Sequence, residues 1–541
     1  MIRIATLLLL AAIICGCDNS IRKSLPKDPI DQGGGGQGAG QWMNLDSSLD
    51  GVEGAGVDRA YSELLKDKKA TREVVVAIIS DGLDIGHVDL KDRIWINKDE
   101  IKNDGVDNDV NGHIDDYYGW NFLGNDKLVN STTDNLSLTR VYGVYQGVDC
   151  ADAKYTEDQT KICTLAQTRY ASEFKEIEDK YNAYSTDQTT YADSSKVLKD
   201  KLGLEEFTQA TIESIESEDV DVVAAKAKLL ELLKTYTTFD NLKGLVDASK
   251  ELIDRAYNVS YDARQIVTGD DPDDLTQSKA YGNWKIETGN PVRGTHLAGI
   301  IGAIRENGEG MDGISEKVLL MGLRVRPEVG DTRDKDLLHA IKYAWSMGAN
   351  IIVLDTGSEF SAHNEEINTE LSTLFSDGKN DALIIQAAGD SASDIGSNYY
   401  FPNGSSYPNW ITVGSNNKQK GSYLIFNGSN YAEKRVNLFA PGEQIISLTA
   451  GKSGIFDMSG SAQSAAVVAG VGAMILSYFD DLTNLQLKNT YLIGESRDYS
   501  TLEVKLPGSD SHDPYRTMIE LCSSGGIVDA YQAIKEALSR K

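Results

Sequence analysis

Histidine and cysteine are scarce in this chain, with six and five residues among 541. Neither an HExxH pattern nor paired-Cys spacing occurs among them, which argues against a catalytic zinc site. Basic clusters are missing too. Lys and Arg number 53 against 82 Asp and Glu, a net charge of −29, whereas phosphate recognition needs clustered cations, so nucleic acid is excluded as a partner. No glycine-rich phosphate cradle and no internal repeat is present. Proline is absent from 30 to 271, because all ten prolines lie outside that span. What remains is a long chain, 40% hydrophobic, able to bury a large core as one big domain with insertions or as two domains. Its acidic surface suits an exported protein that must stay soluble.

The N-terminus reads MIRIATLLLLAAIICGCDNS. One basic residue precedes an apolar run from Ile4 to Ile14, too short for a permanent membrane span, so residues 1–16 read as a signal peptide. Gly16 before Cys17 resembles a bacterial lipoprotein cleavage box, which makes the Cys17 thiol the expected lipidation site. Cys15 is a second candidate acceptor, and an ordinary cleaved signal leaving a free Cys is the alternative. Two acyl chains would give stable anchoring. The stretch 17–45 contains DQGGGGQGAGQ (31–41) and reads as a flexible tether. The expected location is the bacterial cell envelope, lipid-anchored at the outer membrane, on its periplasmic or surface face. Cysteine usage fits export: Cys150 and Cys163 are close enough in sequence to pair or to stay free, and Cys522 reads as a buried small hydrophobe.

Apolar, β-branched runs recur as VVVAII (74–79), VLLMGLRV (318–325), ANIIVLDTG (349–357), ALIIQAAG (382–389) and WITVGS (410–415). They predict buried parallel strands. Between two of them, DKDLLHAIKYAWSMG (334–348) places Leu337, Ile341, Ala344 and Trp345 at helical spacing and stops at Gly348. Alternating strands and helices predict an α/β layer architecture with a mainly parallel sheet. Residues 125–285 differ, being rich in Lys, Glu, Asp, Ala and Tyr. YASEFKEIEDKYNAY (170–184) and VDVVAAKAKLLELLKTY (220–236) carry amphipathic periodicity. The span 125–285 is expected to be a mainly helical insertion separating two parts of one domain, 46–124 and 286–541.

Three further motifs carry chemistry: VVVAIISDGLDIGHVDL (74–90), NPVRGTHLAGIIGA (290–303) and MSGSAQSAAVVAGVGAMIL (458–476). In this order, and together with FAPGEQIIS (439–447) and SGGIVDAYQAIKEAL (524–538), they resemble the landmarks of the subtilisin-like serine protease (subtilase) family. NKDEIKNDGVDNDVNGHIDDYYGWNF (97–122) also resembles a segment of some bacterial subtilases. The resemblance covers roughly 70–124 and 280–537. It implies a subtilisin-like three-layer α/β fold carrying an Asp, a His and a Ser that cooperate in acyl transfer.

At the three positions the resemblance marks, this chain has Ser80, Arg293 and Ala462. Ala462 offers no nucleophile, Arg293 stays protonated and cannot act as a base, and Ser80 supplies no negative charge to an imidazolium. Where the family places an oxyanion-donating Asn, AAGD (387–390) has Asp390. In subtilisin, losing the nucleophile or base costs about 10⁶-fold in kcat. The expectation is a pseudoprotease that binds a peptide or protein partner in an envelope complex. The alternative is an active serine endopeptidase using the displaced neighbours Asp81, His296 and Ser461. A third is a scaffold with an empty cleft. The resemblance implies peptide binding by strand addition along IIVLDTGS (351–358), where Asp355 replaces a Ser and Gly357 is kept. Arg293 facing Asp355 or Asp390 would close the old site with a charge pair. Finally, Asp107, Asp109, Asn111 and Gly112 resemble the first half of a calcium loop, with Asp115 and Asp116 as closing ligands. The candidate cofactor is Ca²⁺, and a solvated acidic turn is the alternative.

Overall fold

The computed structural model describes residues 41–540 except 278–280, 356, 377, 379–380, 398–399, 452–453, 510 and 512–513, and leaves the Asp158 side chain undescribed. Residues 1–16 and Cys17, expected to be a signal peptide and its lipidation site, and most of the expected tether lie outside the described residues. The described residues divide into two compact units: Leu138–Tyr261, and 41–137 together with 262–540.

The larger unit is built on a nine-stranded sheet. Its strands are β1 (Val74–Ser80), β2 (Gly119–Asn121), β3 (Val318–Arg324), β4 (Ile351–Leu354), β5 (Leu383–Ala387), β6 (Trp410–Asn416), β7 (Leu438–Pro441), β10 (Arg497–Asp498) and β11 (Gly526–Ile527). A separate hairpin is formed by β8 (Ile445–Thr449) and β9 (Gly454–Met458). The sheet order is β10-β11-β7-β6-β5-β4-β1-β3-β2, and every pairing is parallel except β10 with β11. The runs that predict strands at 74–79, 318–325, 349–357, 382–389 and 410–415 supply its centre.

Strand side chains alternate between faces, and both faces are buried. Val74, Val76, Ile78, Ile351 and Val353 join one core with α1 (Val292–Gly302) and a second helix, Ser461–Tyr478. Ala77, Ile79, Ile352 and Leu354 join another core with α2 (Asp334–Ser346) and α3 (Asn364–Phe375). The helix Ser461–Tyr478, hereafter α4, is buried along its whole length, which is why its sequence is apolar all round. Helices on both faces of a mostly parallel sheet give the expected three-layer α/β architecture.

The smaller unit is helical. Its longest element, Glu157–Leu202, starts in a capping box between Thr156 and Gln159 and stops at Gly203 in the left-handed region. It packs on Val220–Tyr236 and Phe239–Glu251. Leu198, Ile212, Val222, Ala225, Leu229 and Leu233 form its buried seam. Cys150 and Cys163 are joined in a disulfide, and Cys522 is free and buried.

Two sequence boundaries need correction. The helical unit covers 138–261, not 125–285. Residues 125–137 and 262–285 belong to the sheet unit through buried charges: Asp134 holds Arg333 at 2.8 Å, and Arg264 reaches Asp336 at 2.8 Å. Polar composition conceals such burial. The tether also ends before 45, because Trp42 and Met43 are buried, and the Asn44 amide donates to the Asp312 carbonyl at 2.9 Å.

Candidate active-site cleft

The three landmark positions meet where parallel strands end and helices begin. Ser80 is the last residue of β1, and its partner across β3 is Arg324. On the other side Ile79 pairs with Leu354, which places Asp355 beside Ser80 just past β4. The Ser80 hydroxyl donates to Asp355 Oδ2. Arg293, in the first turn of α1, donates from Nε to the same oxygen at 3.3 Å. The family pattern has a carboxylate at position 80 and a hydroxyl at 355. In this chain the two groups have exchanged places across neighbouring strands, and a permanent cation replaces the imidazole that would face them.

The N-terminus of α1 is capped from outside. Asp81 accepts the Arg293 N–H at 3.0 Å and the Gly294 N–H at 2.8 Å, which satisfies two donors the helix cannot pair itself. A second carboxylate serves α4 in the same way. Asp390 Oδ1 accepts the Ser461 N–H at 2.7 Å. Burial pushes the Asp390 carboxyl up to about 6, against the lowering effect of the Ser461 hydrogen bonds and of the Arg293 charge. Where an oxyanion stabiliser needs a donor, this position presents an acceptor. Ala462 beside it is 3% exposed and ends in a methyl group.

The displaced neighbours are each engaged elsewhere. Asp81 caps α1. The Ser461 hydroxyl accepts the Gly389 N–H at 2.9 Å, and the residue is fully buried. His296 points its Nε2 at the carbonyls of Ile445 (3.1 Å) and Phe456 (3.2 Å) on the β8–β9 hairpin. Burial lowers its pKa to about 4, so at neutral pH the ring is uncharged and its Nε2–H donates to those carbonyls. Asp81, His296 and Ser461 therefore satisfy three separate backbone sites. The structure brings Ser80, Arg293 and Asp355 together instead, and joins Asp390 to Ser461.

Gly357, kept from the peptide-binding pattern, faces the Tyr400 ring of the same chain. Sequence reasoning missed Tyr400, because no spacing rule connects it to 357.

In the acidic loop, Glu100, Asp109 and Asp116 bring one carboxylate oxygen each to within 4.8 Å of one another. Glu100 Oε2 is buried without a hydrogen-bond partner. Asp116 is pushed up to about 6 by burial, against hydrogen bonds from Tyr343, Asn111 and Asn97, and Asp109 adds to the rise. A hard, oxygen-seeking cation fits that donor set. Of the residues expected from sequence, Asp109 and Asp116 lie in this cluster, and Glu100 joins them. Asp107 accepts the N–H groups of Asn111 and Gly112, Asp115 those of Asp104 and Gly105, and the Asn111 amide donates to Asp109 and Asp116. Glu100 lies before the recognisable loop, so the pattern gave no signal for it.

Residues 71–497 match the model of the Subtilase family. Over 184 residues the chain is 29% identical to the Thermophilic serine proteinase of Bacillus sp. (strain AK1), which covers 34% of this chain and 42% of that protein. It is 29% identical over 201 residues to Halolysin of Haloferax mediterranei, covering 36% of each. Thermitase of Thermoactinomyces vulgaris matches at 28% over 201 residues, covering 36% of this chain and 66% of that one. The matched region thus spans less than half the length of the first two relatives.

Proposed function

Because the chain belongs to the subtilase family, we propose that it is a proteolytically silent member that acts by binding a peptide or protein partner. One observation carries this reading. Each group needed for acyl transfer is replaced or committed: a methyl at 462, Arg293 paired to Asp355, and the Asp390 carboxylate on the first N–H of α4. Engagement of Asp81, His296 and Ser461 with backbone groups argues against the displaced-triad alternative. The name of one relative describes a serine proteinase, so activity is the outcome to test. A fluorophosphonate probe applied to the full chain is expected to leave it unlabelled. Labelling that disappears in Ser461→Ala would overturn the reading.

The setting we propose is a lipid-anchored one in a bacterial envelope, with Cys17 acylated and the helical unit as partner surface. Affinity purification from detergent-solubilised membranes tests it. A deletion of 138–261 that keeps every co-purifying protein would exclude that surface. The acidic loop is proposed to take Ca²⁺ on Glu100, Asp109 and Asp116, where it would supply structural cross-linking. A melting temperature unmoved by millimolar CaCl₂ would count against it.

A further inference from the structure

Where β4 and β5 end side by side, two glycines turn their side-chain faces to one ring. A methyl group on Gly357 would fall 2.1 Å from the Tyr400 Oη and 2.3 Å from its Cζ. One on Gly389 would fall 2.8 Å from the same Oη and 3.1 Å from Cε2. The room beside Gly357 is therefore taken by Tyr400, and that beside Gly389 by the Asn430 amide, whose Nδ2 would lie 2.5 Å from the added methyl, together with the ring. The residue is only 6% exposed, and its hydroxyl donates to the Ala387 carbonyl at 3.1 Å.

The segment after the ring is tied to both strand ends. Phe401 and Ser358 exchange backbone hydrogen bonds, Phe401 N–H to Ser358 O at 2.7 Å and Ser358 N–H to Phe401 O at 2.8 Å. From β5, Gln386 Nε2 donates to the Pro402 carbonyl at 3.1 Å. Tyr400 is thus fixed as a wedge between two elements of the sheet unit.

We infer that Tyr400 is a built-in occupant of the side-chain slot between these strand ends, so that the groove along Gly357 is plugged by the protein itself. Strand addition gains specificity by placing alternate side chains in pockets, and a close-packed ring leaves no pocket. An extended peptide would enter only after the ring left, giving up its burial and its bond to Ala387. The inference goes beyond the partner-binding reading and does not depend on it, since an active chain would be plugged equally. It also directs any partner to a surface other than this groove.

The test is fluorescence anisotropy with fluorescein-labelled Ala-Ala-Pro-Phe amide on the full chain, wild type, Tyr400→Gly and Tyr400→Phe. Opening the slot is expected to tighten binding in Tyr400→Gly by about tenfold or more, while Tyr400→Phe, which keeps the ring, stays within about twofold of wild type. Wild type binding as tightly as Tyr400→Gly, equal gains in both variants, or no gain in a folded Tyr400→Gly protein would each overturn it. If Tyr400→Gly folds poorly, millimolar p-cresol is expected to raise its melting temperature and leave wild type unmoved. Absence of that rescue also counts against a ring-shaped slot.

Discussion

In the helical unit the ion pairs lie outside: Lys161–Glu157, Lys175–Asp179, Lys196–Asp200 and Arg169–Glu173 join residues one turn apart on exposed faces. In the sheet unit a connected set of pairs lies inside. Arg264 reaches Asp336 at 2.8 Å and Asp270 at 3.0 Å, Lys335 reaches Asp270 at 2.9 Å, and the Tyr281 hydroxyl donates to Asp336 at 2.6 Å. Burial opposes the Arg264 charge, yet Asp336 and Asp270 hold the guanidinium well above its ordinary range. Despite its own burial, Asp270 is held down to about 2, chiefly by Arg264. Surface pairs are screened and add little, whereas a buried pair becomes indispensable once formed, because removing one partner strands the other. The sheet unit thus uses charge to fix position. The helical unit is held by its apolar seam and one disulfide.

Removing a buried partner should break this contrast most severely. Asp336→Ala is expected to destabilise the sheet unit by about 3–5 kcal/mol. All six tryptophans (Trp42, Trp95, Trp120, Trp284, Trp345 and Trp410) lie outside 138–261, so a urea transition followed by tryptophan emission reports on that unit alone. A loss below about 1 kcal/mol would place the network among ordinary surface pairs. A middle effect is expected in the helical unit. Cys150→Ser with Cys163→Ser should cost about 2–3 kcal/mol through the freed loop, seen as faster amide exchange within Glu157–Leu202. The smallest change belongs to Arg169→Ala, about 0.5 kcal/mol or less by the same readout. A larger loss there would mean that external pairs matter as much as internal ones.

The strands were legible because β-branched runs buried on both faces look alike wherever they occur, and the substituted landmarks were legible because each is a single residue in a recognisable run. Asp134, Arg264 and Asp270 fall within the span expected to be the helical insertion, since sequence shows charge and not the partner that permits burial. Glu100 and Tyr400 escaped because their neighbours are distant in the chain: Tyr400 meets Gly357 and Gly389 only through the ends of β4 and β5. Asp107 and Asp115 lie in the loop that the spacing marks, and each accepts turn N–H groups there.

The hydrogen bond between the Ser80 hydroxyl and the Asp355 carboxylate ties the two positions to one another. Ser80→Asp alone would set two like charges side by side at the buried end of the sheet, where they repel. Asp355→Ser alone would take from Arg293 the carboxylate it now meets. The hydroxyl at 80, the carboxylate at 355 and the guanidinium at 293 are thus coupled, so a change at any one of them is read through the other two.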